Sequence, residues 1–405
     1  MERLYIERLG HRGDGIAPGP VYVPGALPGE EVEGETVDGV MAAPRIVTPS
    51  DQRVRPPCSH ARSCGGCQLQ HATQAFTADW KTEVVQQALA AHGLEAPLRG
   101  IVTSPPRSRR RAVFSARRTK KGALAGFHMK RSDVIVAVPE CQLVRPAIAA
   151  ALPLVEALAV AGASRKGEIS ALVTDSLAGL DVSVTGGKPI DAALRSALAD
   201  LAREYDLARL SWDGESLLRR APAQRMGRAQ VTPPPGAFLQ ATSEGEAALL
   251  SGVEEALDGA TRIADLFAGC GTFSLPLAET APVHAVEGDA AMLAALDHGW
   301  RNATGLKQVT HEARDLFRNP LLPDELKAFD AVVIDPPRAG AAAQVAQIAE
   351  ARVPRVAHVS CNPVTFARDS AALVAGGYAL EWVQVVDQFR WSTHVELVAA
   401  LRFKG

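Results

Sequence analysis

The 405-residue sequence lacks the features that would define a membrane, secreted or repeat protein. It contains no run of about 18 or more apolar residues, the length needed to span a bilayer. Its first ten residues include acids where a secretion signal would have an apolar stretch, and no internal repeat or low-complexity tail follows. We therefore expect a cytoplasmic, monomeric protein of two or three domains without membrane contact.

Cysteine is scarce, with six residues in the whole chain. In a cytoplasmic protein of this size such cysteines rarely form a disulfide framework, so each needs its own explanation. Acidic residues are missing from the stretch 107–131, which contains ten Lys or Arg. This stretch could contact a polyanion such as nucleic acid, or it could be an ordinary solvated pair of strands.

The pattern of strands and turns divides the chain into three regions. Residues 1–53 contain short alternating stretches broken by Gly and Pro turns, which is typical of a small β-barrel of the oligonucleotide-binding type. Residues 54–224 begin with a cysteine cluster and an amphipathic helix at about 73–92, a candidate to pack on the last domain. The β-like runs and Ala/Leu helices that follow indicate a central α+β domain. From 225 to 405, four apolar β-rich runs alternate with Ala-rich helices, which predicts a doubly wound parallel sheet.

A glycine turn follows the first of these four runs. Gly269 and Gly271, in the segment DLFAGCGTFS, allow the backbone to approach a ligand closely. The second run ends at Glu287, where an acid can accept both hydroxyls of a ribose. The dinucleotide fingerprint G-x-G-x-x-G is missing, so the pattern favours a nucleoside cofactor such as S-adenosylmethionine. The alternative is a turn that serves only the fold.

A carboxylate and a thiol come at the ends of the next two runs. The third run ends at Asp335 and the fourth at Cys361. Because the carboxyl ends of parallel strands meet in one crevice, this placement favours a nucleophilic role for Cys361 over that of a small apolar core residue. Glu396, near the C-terminus, is the best candidate for a catalytic base, although a Glu in an apolar strand could merely pair with a charge.

As a set, these motifs resemble the RNA 5-methyluridine methyltransferases. The match follows the family's order and spacing through FLQ (238–240), DLFAGCGTFSLPLA (265–278), Glu287, Asp315, DPPRAG (335–340), SCNPVTFARD (360–369) and HVE (394–396). The resemblance implies an α/β fold with a Rossmann-like class I methyltransferase domain that binds S-adenosyl-L-methionine. It also implies that Cys361 adds to carbon 6 of a uridine, which activates carbon 5 for methylation, and that Glu396 removes the carbon 5 proton.

The resemblance also assigns a cofactor pocket and a metal site. The residues expected to line the methyl-donor pocket are Gln240, Phe267, Thr272, Glu287, Asp315 and Asp335. Residues 1–53 resemble a TRAM domain, and the cysteine pattern is similar to that of the family's iron-sulfur members. The matching cysteines are Cys58, Cys64, Cys67 and Cys141. Four thiolates can hold either a 4Fe-4S cluster or zinc, and the spacing leaves both open, but the resemblance favours the cluster.

The substrate implied by the resemblance is RNA, with 23S rRNA preferred over tRNA. The uridine must be flipped out or lie in a loop, while the barrel and the basic stretch hold the flanking backbone. Two alternatives stay open: methylation of cytosine carbon 5, although those enzymes usually place a cysteine where this chain has Asp335-Pro-Pro, and a non-catalytic RNA-binding iron-sulfur protein. The chain departs from the family pattern at 108–111 and at 389–392, which are surfaces expected to position RNA.

Overall fold

The computed structural model of the protein describes every residue from Met1 to Gly405. Its N-terminal region contains six short strands: β1 (Glu2–Tyr5), β2 (Arg8–Leu9), β3 (Asp14–Ala17), β4 (Val21–Pro24), β5 (Glu31–Gly34) and β6 (Arg45–Thr48). They form two three-stranded sheets, β1-β5-β6 and β2-β3-β4, around a core that includes Ile6 and Val32. The buried carboxylate of Glu30 accepts a 2.7 Å hydrogen bond from Arg53, which ties this unit to the segment that follows.

The middle of the chain is a mixed α and β region. Its elements are α1 (Gln74–Ala90), β7 (Leu98–Thr103), β8 (Arg111–Thr119), β9 (Gly122–His128), β10 (Ile135–Val136), α2 (Pro146–Ala149), α3 (Leu152–Gly162), β11 (Glu168–Ser176), β12 (Gly179–Thr185), α4 (Ala192–Glu204), β13 (Arg209–Trp212), β14 (Glu215–Leu218), β15 (Gln224–Met226) and β16 (Ala229–Val231). Seven strands form one sheet in the order β10-β9-β8-β11-β12-β13-β14. Helix α3 packs on β8 and β9, and α4 packs on α3, because the apolar faces of these helices and strands close a common core.

The C-terminal region alternates helices and strands. Its elements are α5 (Ser243–Ala256), β17 (Ile263–Leu266), α6 (Ser274–Leu277), β18 (Val283–Glu287), α7 (Ala290–Arg301), β19 (Val309–Ala313), α8 (Pro323–Leu326), β20 (Ala331–Ile334), α9 (Ala342–Ala351), β21 (Arg355–Ser360), α10 (Pro363–Ala375), β22 (Tyr378–Asp387) and β23 (Glu396–Phe403). The sheet has the order β19-β18-β17-β20-β21-β23-β22-β7. Its first five strands are parallel, as the sequence predicts, and β23 runs antiparallel to both of its neighbours.

Strand β7 joins this sheet from a distant part of the chain. It lies within the range 54–224 that the sequence assigns to the central domain, yet it pairs in parallel with β22. Pairing with β22 gives the edge of the sheet a hydrogen-bonded partner. The division at residues 53 and 224 itself stays a prediction. No helix combines the length and the apolar character needed to cross a bilayer.

A buried ion pair anchors α1 to the end of β22. Lys81 Nζ lies 2.5 Å from Asp387 Oδ1 and donates a second hydrogen bond of 3.2 Å to the carbonyl of Phe389. The Lys81 side chain is fully buried and that of Asp387 is 3% exposed. Helix α1 also packs against α10 and β7. The helix that follows the cysteine segment therefore holds the start of the loop that leads to Glu396.

Replacing Lys81 with methionine is expected to lower the free energy of unfolding by about 3–5 kcal/mol, because it leaves the carboxylate of Asp387 buried without a counter-charge. Denaturant unfolding measures this change. The matched control is Lys327→Met, which removes an exposed partner of Asp324 and should leave the free energy of unfolding nearly unchanged. Equal losses in the two variants would contradict a structural role for the buried pair.

Candidate active site

One cavity of about 760 Å³ contains the thiol and the carboxyl that the sequence singles out. Cys361 follows β21 directly, and Glu396 begins β23. These two strands are antiparallel neighbours in which Ser360 lies opposite Leu397, so the two side chains are brought to the same place. The cavity is also lined by Arg338, Phe389 and His394.

The acidic groups of this site are all shifted towards their protonated forms. Burial, together with the carboxyls of Glu396 and Asp335, raises the pKa of Cys361 to about 11, and Arg338 opposes this shift. Burial and Asp335 raise the pKa of Glu396 well above its ordinary value. Burial and Asp265 raise the pKa of Asp335 to about 7. Of these groups, Asp335 has a pKa near neutral pH, and a cluster of perturbed pKa values of this kind is typical of sites of acid–base catalysis.

The glycine turn after β17 is held above the end of β18. The amide of Gly269 donates a 3.0 Å hydrogen bond to Glu287 Oε2, and that of Asp289 donates one of the same length to Oε1. Gly269 and Gly271 have φ values of +56° and +93°, which disfavour other residues. A carboxylate has about four acceptor sites, so Glu287 keeps lone pairs for a ligand.

The predicted donor-pocket residues follow the ends of four consecutive parallel strands. Phe267 follows β17, Glu287 ends β18, Asp315 lies two residues beyond β19, and Asp335 follows β20. Phe267 has a φ of +65°, a conformation that costs free energy outside glycine, and its ring centroid lies 5.3 Å from that of Phe317.

The remaining contacts of these residues complete the pocket. Asp315 accepts a 3.0 Å hydrogen bond from the amide of Phe317, and Gln240 Nε2 lies 3.5 Å from Asp335 Oδ2. Thr272 is half-buried in the glycine turn, where its side chain makes no hydrogen bond within the protein. Beneath the turn, Asp265 Oδ1 is buried without a partner in the protein, while Oδ2 accepts from Ser274. A polar ligand in the crevice could supply the hydrogen-bond donor that Asp265 Oδ1 lacks.

The four cysteines of the predicted metal site line the same cavity as Cys361. These are Cys58, Cys64, Cys67 and Cys141, and all of them are free thiols. Burial raises the pKa of Cys67 to about 12, and the other three cysteines add to the shift. No three His, Cys, Asp or Glu side chains of the chain converge closely enough to hold a single metal ion.

The basic stretch 107–131 differs from a uniform surface patch. Arg110 is 4% exposed, donates a 2.9 Å hydrogen bond to the carbonyl of Gln240, and pairs with Glu246. Arg111 donates to the carbonyl of Leu239 at 3.0 Å. These two arginines satisfy backbone carbonyls of the segment that carries Gln240, so they position the donor pocket. The exposed basic residues of the stretch lie at the tip of the β8–β9 hairpin, in Arg118, Lys120 and Lys121, and near its two ends, in Arg107, Lys130 and Arg131.

Two residues of the site were not singled out from the sequence. Arg338 lies within the motif DPPRAG, three residues after Asp335. This closeness in sequence could have identified it as a residue of the site. Gln388 is 1% exposed and bonded to both the donor pocket and Glu396, but its position depends on how the 387–396 loop folds. No local sequence pattern marks it.

Comparison with known proteins gives consistent matches. Residues 300–403 match a family model described as tRNA (Uracil-5-)-methyltransferase. Over 403 residues, which are 98% of this chain and 97% of the relative, the sequence is 43% identical to an uncharacterized RNA methyltransferase of Brucella suis. It is 33% identical over 402 residues to the 23S rRNA (uracil(1939)-C(5))-methyltransferase RlmD of Edwardsiella ictaluri, covering 94% of this chain and 90% of that one.

A solved structure extends the similarity to the fold. The tRNA (uracil-54, C5)-methyltransferase of Pyrococcus abyssi, in complex with S-adenosyl-L-homocysteine, superposes with a TM-score of 0.76. The superposition covers 98% of this chain and 99% of that one, at 22% sequence identity. The predicted Rossmann-like methyltransferase fold is thereby confirmed.

Proposed function

The chain belongs to the RNA uracil-5-methyltransferase family, and we propose that it methylates carbon 5 of a uridine in 23S rRNA. The observation that carries this proposal is that Cys361 and Glu396 line a single cavity. The two residues belong to adjacent strands, beside the glycine turn that follows β17. The preference for 23S rRNA rests on the name of the Edwardsiella relative, whose similarity extends over nearly the whole chain.

In the proposed reaction the Cys361 thiolate forms a bond from Sγ to carbon 6 of the uracil, and the electron pair moves towards carbon 5. Bound S-adenosylmethionine supplies the methyl group that carbon 5 takes. Glu396 then accepts the proton from carbon 5, the pair reforms the double bond between carbons 5 and 6, and the Sγ–carbon bond breaks. Arg338 assists the first step because its charge favours the thiolate over the thiol.

The donor would be held by residues that the structure leaves with free polar capacity. Glu287 has lone pairs for the ribose hydroxyls, and the unpartnered Asp265 Oδ1 lies under the glycine turn. Phe267, Asp315 and Asp335 extend the proposed pocket at the ends of the strands, with Thr272 in the glycine turn and Gln240 in the segment before α5. This arrangement is the usual ligand position in an open α/β sheet.

The test is methyl transfer from labelled S-adenosylmethionine to 23S rRNA and to tRNA, followed by mapping of 5-methyluridine in a strain without the gene. We expect labelled 5-methyluridine in 23S rRNA and its loss from that RNA in the deletion strain. Loss confined to tRNA would reassign the substrate, and label on cytosine would reject uridine as the target.

We further propose that Cys58, Cys64, Cys67 and Cys141 hold a 4Fe-4S cluster. All four cysteines line one cavity, and burial together with neighbouring cysteines raises the pKa of both Cys64 and Cys67. Both observations support the proposal, because neighbouring buried thiolates need a cationic partner. The cluster would supply that charge and link the segment around residues 58–67 to Cys141. Methyl transfer itself requires no electron transfer.

Protein purified without oxygen is expected to contain about four iron and four sulfide per chain. Cys141→Ser should lose most of this iron, because it removes one of four ligands. Cys270→Ser is the matched control, since that thiol is buried in the core of the C-terminal sheet and should leave the iron content unchanged. About one zinc per chain, or unchanged iron in Cys141→Ser, would speak against the cluster.

A further inference from the structure

Gln388 bridges the two halves of the site. Its Oε1 accepts a 2.7 Å hydrogen bond from the amide of Ala241, which fixes the orientation of the side-chain amide. Its Nε2 must then donate, and it bonds Gln240 Oε1 at 2.6 Å. Glu396 lies opposite Val386 in the β22–β23 pair, two residues before Gln388, and Gln388 opposes the rise that burial and Asp335 cause in the pKa of Glu396. Gln240 in turn points its own amide nitrogen at Asp335, with 3.5 Å between the two atoms. Gln388 therefore lies between Glu396 and the predicted donor-pocket residue Gln240.

The surroundings of Gln388 are built to hold it in place. Its side chain is 1% exposed, and the preceding residue is Asp387, the partner of the buried Lys81. On its other side, a Cβ added at Gly245, in the first turn of α5, would lie 2.5 Å from Gln388 Cβ. The absence of a side chain at that position lets α5 pack directly on the glutamine.

We propose that Gln388 is a positioning residue that orients the base Glu396 and links it to the methyl-donor site through Gln240. The two short hydrogen bonds of Gln388, accepted from Ala241 and donated to Gln240, fix its side-chain amide beside Glu396, so rotation of that amide would break a buried hydrogen bond. The proposal rests on the proposed uridine methylation and adds a residue to its last step. Gln388 acts on proton removal and leaves thiol addition to Cys361.

The charges around Glu396 define what Gln388 contributes. The charged or titratable groups that line the cavity with Glu396 include Arg12, Arg109, Arg338, Cys361, Arg390 and His394, and Asp335 acts on its carboxyl without lining that cavity. Asp387 is paired with Lys81, and Glu246 of α5 with Arg110. Asp335 and burial disfavour the carboxylate of Glu396, whereas Arg338 and the donated hydrogen bond from Gln388 favour it. Removing that donor makes the carboxylate harder to form.

Gln388→Met, which keeps the length of the side chain and removes the amide, is the decisive variant. We expect turnover on unmodified RNA to fall at least about tenfold and the methylated covalent adduct to accumulate, because proton removal becomes slower than methyl transfer. The acid limb of the rate profile should move by about one pH unit to higher pH. Trapping of RNA that contains 5-fluorouridine needs no proton removal, so its rate should stay within about twofold of that of the unsubstituted chain. This rate shows what fraction of the variant protein has a correctly folded site.

The matched control is Gln344→Met. Gln344 is another fully buried glutamine, whose amide bonds only the backbone of Leu321, and its replacement should leave the adduct level and the acid limb unchanged. If Gln388→Met traps 5-fluorouridine RNA poorly, adduct accumulation is measured on Gln388→Glu instead. This variant keeps the size of the side chain and the oxygen that accepts the hydrogen bond from Ala241.

Three outcomes would overturn the inference. One is turnover and an acid limb in Gln388→Met equal to those of the unsubstituted chain. Another is loss of trapping in parallel with turnover in both Gln388 variants. The last is an unsubstituted chain that traps no 5-fluorouridine RNA, which would overturn the proposed function as well. Failure of the inference alone leaves trapping by the unsubstituted chain intact, so the two failures are distinguishable.

Discussion

Cys361→Ser is expected to lower methyl transfer to RNA by about a thousandfold or more, because a serine hydroxyl is a far weaker nucleophile than a thiolate for addition to carbon 6. Binding of S-adenosylmethionine should persist, since the proposed donor contacts at Gln240, Phe267 and Glu287 belong neither to β21 nor to the lining of the cavity around Cys361. Methyl transfer is measured with labelled donor, and donor binding by calorimetry. Trapping of 5-fluorouridine RNA should disappear in the same variant.

The control for this variant is Cys270→Ser. Cys270 is a buried cysteine of the glycine turn after β17, whose side chain packs in the core and does not line the cavity. Burial, Glu287 and Asp289 raise its pKa to about 12. If Cys270→Ser lost as much activity as Cys361→Ser, the loss would reflect damage to the packing of the domain and not the loss of a nucleophile. Retained activity in Cys361→Ser would reject covalent catalysis by this residue.

The parts of the site that sequence predicts best are those that follow strand ends. The four apolar runs are present as β17, β18, β20 and β21, and the predicted family membership and fold are confirmed by the comparisons. The reason is topological, since parallel strands place their carboxyl ends along one edge and thereby collect Asp335 and Cys361 in one crevice. The proximity of Glu396 depends on an antiparallel β23, which local patterns do not reveal.

Other contacts lie beyond what local sequence can predict because they join distant segments. The amide of Gln388 meets residues 240, 241 and 396, and Lys81 meets Asp387 across 306 positions. The basic stretch illustrates the same limit: composition indicates a charged surface, whereas the fold turns Arg110 and Arg111 inward to carbonyls near Gln240. A count of charges carries no information about which side chains satisfy buried backbone groups.

The loop from 387 to 396 connects the cysteine segment to the base. The amides of Gln68 and Leu69 donate to the carbonyl of Trp391 at 2.8 and 2.9 Å, and Lys81 donates to that of Phe389. Trp391 has a φ of +62°, so its backbone is held in a conformation that neighbouring contacts must stabilise. The loop is therefore bonded to both the cysteine segment and helix α1 before the chain enters β23 at Glu396.

Glu396→Gln is expected to slow turnover by about 10²- to 10⁴-fold and to make the methylated RNA adduct accumulate on the protein. Glutamine keeps the size of the Glu396 side chain but cannot accept a proton, so the variant should keep the shape of the site. Thiol addition and methyl transfer should therefore proceed in the variant, while the carbon 5 proton has no acceptor and the Sγ–carbon bond cannot break.

The adduct should appear with ordinary RNA as a protein–RNA band that survives denaturation and carries the labelled methyl group. Glu381→Gln is the matched control, because Glu381 lies on the neighbouring strand β22, pairs with Lys404 at 3.0 Å, and does not line the cavity. It should turn over normally without accumulating adduct. If Glu396→Gln loses activity and forms neither the adduct nor labelled product, Glu396 acts in a step before methyl transfer. In that case its carboxyl would be the group that takes the proton from Cys361. Because burial and both carboxyls keep that thiol protonated at neutral pH, the presence or absence of the labelled band decides which proton Glu396 removes.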